Sequence, residues 1–162
     1  NIVKGCKIPN MEEGDIMRFF EVEEHTLLKP FYEKNGLEVS ENIVTDDGAV
    51  LSVAAQSEGN TVAAGTLSKR HGVFILDYIA VEPCFRMHGL GGEILSEILR
   101  KAGCMGAEAV YITARRPSFF KKHGFKEGSP KGIDMNEGCI GCPQYNTTCV
   151  SVPMYLKLGE NL

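Results

Sequence analysis

The stretch Arg86-Met87-His88-Gly89-Leu90-Gly91-Gly92 constrains this chain more than any other. It follows an apolar run, Phe74 to Val81, and precedes an amphipathic one, Glu93 to Ala102. An arginine with glycines at the third and fifth positions after it therefore sits where a strand hands over to a helix. Glycines there let a ligand approach the backbone closely and leave the first-turn N–H groups unobstructed. Those unpaired N–H groups, at the positive end of the helix dipole, suit an anion, and Arg86 adds a fixed charge. The spacing is neither the dinucleotide fingerprint GxGxxG nor a phosphate loop ending in Gly-Lys-Ser/Thr. From the motif alone a plain glycine-rich turn into a helix stays open beside the anion loop.

A chain of 162 residues with 43% hydrophobic content can build one domain, 1–162, around a real core. The net charge of −4, with no basic cluster larger than Arg115-Arg116 or Lys121-Lys122, speaks against nucleic acid as a partner. The apolar runs are strand-sized, which speaks against a membrane, and nothing at the amino end reads as a signal peptide. Six cysteines are not the density of a disulfide scaffold, so a cytoplasmic enzyme is expected.

Apolar periodicity predicts the order of elements. Ile2 to Ile8 is a candidate first strand. Ile16, Phe19, Phe20, Leu27 and Leu28 recur at helical spacing, which predicts a helix over about Glu12 to His25. Pro30 to Asn35 reads as a short helix with Pro at its start and Gly36 past its end. Val50 to Gln56, Thr61 to Ser68 and Val73 to Val81 read as a meander, turned at Ser57-Glu58-Gly59-Asn60 and Lys69-Arg70-His71-Gly72. In the next helix Ile94, Leu95, Ile98, Leu99 and Ala102 make one apolar stripe, with Gly103 as its stop. Ala109 to Thr113 is a strand, Pro117 to His123 a short helix closed by Gly124, and Val150 to Leu158 the last strand. Pro153 marks that strand as an edge or a bulge. A meander followed by a strand–helix–strand crossover implies an α/β (α+β) fold with a mixed sheet and helices on both faces.

Three segments carry a family resemblance. Arg86 to Gly92 resembles the R/Q-x-x-G-x-G/A motif of the GNAT superfamily of acetyl-CoA-dependent N-acetyltransferases, which holds the coenzyme A pyrophosphate. Asp77-Tyr78-Ile79-Ala80-Val81-Glu82-Pro83 resembles the strand that precedes that motif in the family. Pro117-Ser118-Phe119-Phe120-Lys121-Lys122-His123-Gly124-Phe125 resembles the family's aromatic, aromatic, three residues, Gly-Phe signature. With Ile112 to Arg116 before it, this last segment looks most like the N-acetylglutamate synthase branch. The resemblance implies a mixed, mostly antiparallel sheet with a splayed coenzyme A slot and acetyl-CoA as cosubstrate. It implies contacts from Ile79, Ala80, Val81, Arg86, Met87, His88, Gly89, Leu90, Gly91, Gly92, Phe119 and Phe120. Many relatives carry Tyr at the position of Phe120, where its hydroxyl can protonate the departing thiolate; Phe120 has no proton to give.

Acetyl transfer to an amine needs a neutral nucleophile and a polarised thioester carbonyl. The resemblance assigns the polarising N–H groups to the backbone near Ile79. Asp77 is the carboxylate within that strand, read either as a base through a water, or ligand for the acceptor's amine, or as a solvent-facing or salt-bridged residue. Cys139-Ile140-Gly141-Cys142 and Cys149 place three thiols close in sequence without a fourth local ligand, so no metal is expected. Cys104 reads as core, and Cys84 as a loop residue near the coenzyme. The expected partners are acetyl-CoA and a small amine, an amino acid or a relative, with a homodimer left open. The competing readings are a coenzyme-binding sensor without turnover and a redox- or metal-responsive module.

Overall fold

The computed structural model describes residues 17–39, 48–135 and 151–159. The candidate strand Ile2 to Ile8 and the Cys139–Cys149 segment lie outside them. Among the described residues, seven strands form one mixed, mostly antiparallel sheet in the order β1-β2-β3-β4-β5-β7-β6. They are β1 (Phe19–Glu21), β2 (Ala49–Ser57), β3 (Asn60–Arg70), β4 (Val73–Val81), β5 (Ala109–Ala114), β6 (Lys126–Glu127) and β7 (Val152–Lys157). The helices are α1 (Lys29–Lys34), α2 (Leu90–Cys104) and α3 (Pro117–Lys122). Among the described residues no helix is long and apolar enough to cross a membrane.

The elements group into two compact units, one of residues 17–39, 48–67 and 78–98 and one of residues 68–77, 99–135 and 151–159. In the first unit the described part of the expected Glu12–His25 helix is instead β1 and a 3-10 turn, His25–Leu28. Phe19 faces Ala55 and Glu21 faces Val53 on β2, and the Val22 N–H reaches Ser52 O at 2.9 Å. Aromatic residues suit such an edge, and the ladder outweighs a sparse helical spacing. The helix α1 starts at Lys29-Pro30 and stops at Asn35, whose side chain donates to Phe31 O at 2.9 Å. Leu28, Phe31 and Tyr32 then pack on Ala54, Ala64, Tyr78 and Ala80. Successive strand residues point to opposite faces, so Gly65 presents the other one. There α2 approaches so closely that Ile98 Cδ1 occupies the place a Cβ would take.

The second unit centres on Val110, Ile112, Ala114, Phe120, Phe125 and Met154, all buried. The strand β5 pairs in parallel with β4 at Phe74–Val110 and Ile75–Tyr111 and antiparallel with β7 from Ala109–Lys157 to Ala114–Val152. Between β5 and β6, β7 is not an edge, which removes one of the two readings of Pro153. The β6 ladder ends at Met154, so the missing Pro153 N–H interrupts none of its pairs. The stop of α2 also moves. Gly103 stays helical, while Gly106 at φ +88° closes the helix, its N–H on Gly103 O and that of Ala107 on Ala102 O, both at 3.0 Å. This double bond pattern is the Schellman motif, which wants glycine one residue past the cap. Cys104 in that last turn is exposed with a free thiol, not core.

Candidate functional site

The connection from β4 to α2 is built for backbone contact. The Glu82 N–H bonds Val62 O at 2.8 Å, holding the strand end, and a 3-10 turn, Pro83–Phe85, redirects the chain. Arg86 is extended, and its Nε donates to Val81 O at 2.9 Å, bracing the loop against the strand it has just left. Met87 at φ +68° and Gly89 at φ +78° are left-handed, and Met87 is fully exposed. A non-glycine residue in that region is a local strain of the kind found at ligand-binding loops. The helix begins at Leu90, and its first ladder bond is Glu93 N–H to Gly89 O at 3.0 Å. The N–H groups of Leu90, Gly91 and Gly92 thus belong to the first turn, which has no acceptors within the helix. His88 and Gly89 are exposed beside them.

The two carboxylates at β4 differ in their surroundings. The Asp77 side chain is 6% exposed, and both its oxygens are taken. Arg70 donates Nη1 to Oδ2 at 2.9 Å and Nη2 to Oδ1 at 2.6 Å, and the Ser68 hydroxyl donates to Oδ2. Of the two roles open to Asp77, the geometry is that of the salt-bridged residue. Ser68 and Arg70 carry no sequence signature, yet both stand on the strand that turns into β4 through His71-Gly72. Glu82 has a buried Oε1 with an ion-pair contact, Lys34 Nζ at 2.7 Å, that lacks hydrogen-bond alignment.

A second polar group lies on the α1 face of the first unit. His25, Ser52, Thr66 and Tyr32 are joined by three contacts of 2.7–2.9 Å. Sequence reasoning missed them because they are scattered over 42 positions of the chain. The available signal was polar residues, Ser52 and Thr66, at inward positions of otherwise apolar strands.

In the second unit Phe120 is 4% exposed, edge-on to Phe119 at 5.0 Å and to Phe125 at 5.4 Å. Phe119 also packs on His123, with centroids 4.7 Å apart. Cys84, half-buried in the 3-10 turn before Arg86, is disulfide-bonded and therefore no nucleophile in this state. Among the described residues no three His, Cys, Asp or Glu side chains gather as metal ligands.

A family model described as the acetyltransferase (GNAT) domain matches residues 47–127. Solved structures share the fold at low identity. A GNAT family acetyltransferase from Elizabethkingia anophelis, with acetyl-CoA bound, is 16% identical with a TM-score of 0.63, over 89% of this chain and 99% of that one. The ribosomal-protein-S18-alanine N-acetyltransferase from Escherichia coli is 18% identical with a TM-score of 0.63, over 91% and 99%. N-acetylglutamate synthase from Neisseria gonorrhoeae, complexed with coenzyme A and N-acetyl-glutamate, is 16% identical with a TM-score of 0.64, over 88% of this chain and 35% of that one. Its branch is one among several at similar likeness, so no acceptor is singled out.

Proposed function

The chain belongs to the GNAT acetyltransferase family, and from that premise we infer that it moves the acetyl group of acetyl-CoA to the primary amine of a small acceptor, an amino acid or a related amine. One observation carries this reading: the Arg86–Gly92 loop, with left-handed Met87 and Gly89 leading into the open first turn of α2. Successive backbone N–H groups in such a concavity bind phosphate oxygens, and the helix end adds favourable charge. The family's cosubstrate brings a pyrophosphate that fits this cradle. Arg86 contributes its remaining guanidinium N–H groups, since Nε is already on Val81 O.

Ile79, Ala80 and Val81 lie beyond Phe74 and Ile75, the β4 residues that pair with β5. Their backbone groups are assigned to the amide-rich pantetheine arm and the Ile79 N–H to the thioester carbonyl, where a fixed dipole stabilises developing negative charge. With Val81 O occupied by Arg86, N–H groups carry more of this contact than carbonyls. Asp77 enters as a brace, because accepting a proton would require it to release a bidentate arginine first. Glu82 does not replace it as base. It stands three residues past Ile79, roughly 10 Å along a strand rising ~3.3 Å per residue.

The test is amine-dependent release of coenzyme A thiol over a panel of amino acids and polyamines, with product mass confirming one added acetyl group. Saturable release with at least one small amine supports the reading. Tight coenzyme binding with no release across the panel would replace it with a sensor that kept the fold without turnover.

A further inference from the structure

The four side chains on the α1 face form an unbroken chain from the surface to the middle of the first unit. His25 Nδ1 lies 2.7 Å from Ser52 Oγ, Ser52 Oγ 2.9 Å from Thr66 Oγ1, and Thr66 Oγ1 2.7 Å from Tyr32 Oη. Ser52, Thr66 and Tyr32 are 1%, 3% and 2% exposed, whereas His25 is half-buried. At the inner end the Tyr32 ring stacks on Tyr78, with centroids 4.9 Å apart and planes 29° from parallel. Tyr78 immediately precedes Ile79, the residue assigned above to the thioester carbonyl.

In the neutral tautomer that leaves His25 Nδ1 as the acceptor, the number of hydrogens in this chain fixes its direction. Each hydroxyl has one hydrogen to give, and a neutral imidazole has one nitrogen that accepts. When His25 Nδ1 accepts, three hydroxyl hydrogens serve three contacts and all run outward: Tyr32 donates to Thr66, Thr66 to Ser52, Ser52 to His25. An imidazolium carries a hydrogen on both nitrogens, so His25 must then donate to Ser52. Three hydroxyl hydrogens are then left for two contacts, which releases the chain to run inward, with Ser52 donating to Thr66, Thr66 to Tyr32 Oη, and the Tyr32 hydrogen turning to an acceptor other than Thr66. Buried hydroxyls cannot exchange a mismatched partner for water, so the links turn together.

The geometry points to His25 as a positioning residue: its charge state, relayed through Ser52 and Thr66, sets whether the Tyr32 hydroxyl donates to Thr66 or accepts from it. The charged groups on the elements packed around His25 are Glu21 of β1, Glu23 and Glu24 of the connection, and Lys29, Glu33 and Lys34 of α1. Lys29 and Glu33 contact each other at 3.8 Å, and Glu24 accepts from the Thr26 hydroxyl at 3.3 Å. The strand β2 brings no ionisable side chain.

Solution NMR of the free protein tests this coupling without coenzyme or acceptor, so its outcome is separate from that of the acetyl-transfer reading. Imidazoles change charge between about pH 5 and 8. Over that range the ring nitrogen shifts of His25 report its protonation, and the Tyr32 Cζ shift reports the hydrogen bonding of its hydroxyl. The Tyr32 signal should move with the midpoint of His25 in the wild-type protein and in Thr66→Ser, which keeps the hydroxyl. It should lose that response in Thr66→Val while His25 still titrates. Ser52→Ala, cutting the chain one link earlier, should do the same and serves if Thr66→Val does not fold. A Tyr32 signal that stays flat while wild-type His25 titrates would overturn the relay, as would a response that survives a cut chain.

Discussion

The two ends of β4 solve different problems with the same strand. Around Asp77 the side chains close on one another: Arg70 and Ser68 hold both carboxylate oxygens in a half-buried knot. From Ile79 into the Arg86–Gly92 loop, the useful groups are backbone ones, shaped by left-handed residues and by a helix start. Groups that are satisfied internally contribute stability, and groups left open are available to a ligand. Substitutions at the Asp77 end should therefore cost stability with little change in coenzyme affinity. Those in the loop should do the reverse.

The largest effect is expected at Gly91. Gly91→Val puts a branched side chain into the first turn of α2, where the phosphates would sit, and valine is tolerated in helices. The variant should fold, with an unchanged circular dichroism spectrum, and show no acetyl-CoA binding by calorimetry at concentrations that saturate the wild type. Unchanged affinity would remove the loop from the site. At the other end, Asp77→Ala strands the Arg70 guanidinium, which is 37% exposed and so partly screened. The expected loss is about 2 kcal/mol in denaturant unfolding, with coenzyme affinity retained. Loss of kcat in Asp77→Asn without loss of stability would instead make Asp77 the base. Arg86→Ala should weaken acetyl-CoA by about 1–3 kcal/mol, the range of a charge-assisted contact. Because Arg86 also holds Val81 O through Nε, the charge-conserving Arg86→Lys change should not restore the wild-type affinity fully.

The same contrast explains how much of the molecule could be read from its sequence. The meander was legible because alternation and turn chemistry agree. Glu58-Gly59 and His71-Gly72 both have two left-handed residues, as two-residue hairpin turns that match the strand twist require. The loop into α2 was legible because it is local and marked by glycines at 89, 91 and 92. What stayed hidden depends on partners distant in the chain. Phe19 to Glu21 is a strand only because β2 offers it an edge, and its local spacing suits a helix as well. Gly103 and Gly106 are alternative stops by composition, and the Schellman bonds at Gly106 decide between them. The Arg70–Asp77 ion pair and the His25–Tyr32 chain join residues that no spacing rule connects.

The smallest expected effect lies at Lys34 and Glu82, where the two ends of the comparison meet in one pair. Glu82 is a carboxylate four residues before Arg86, 16% exposed, and Lys34 Nζ contacts it from a side chain 69% exposed. Uncompensated negative charge near the loop would oppose a pyrophosphate within a Debye length, ~8 Å at physiological salt. Lys34→Ala should therefore weaken acetyl-CoA binding, by less than about 1 kcal/mol because the lysine is solvent-screened. Glu82→Gln removes the charge while keeping the shape, and should tighten binding by a similar amount. Both changes should fade as salt rises, which calorimetry at two ionic strengths reads directly. If both variants shift affinity in the same direction, the pair acts by holding the end of α1 against β4, and its charge is irrelevant to the coenzyme.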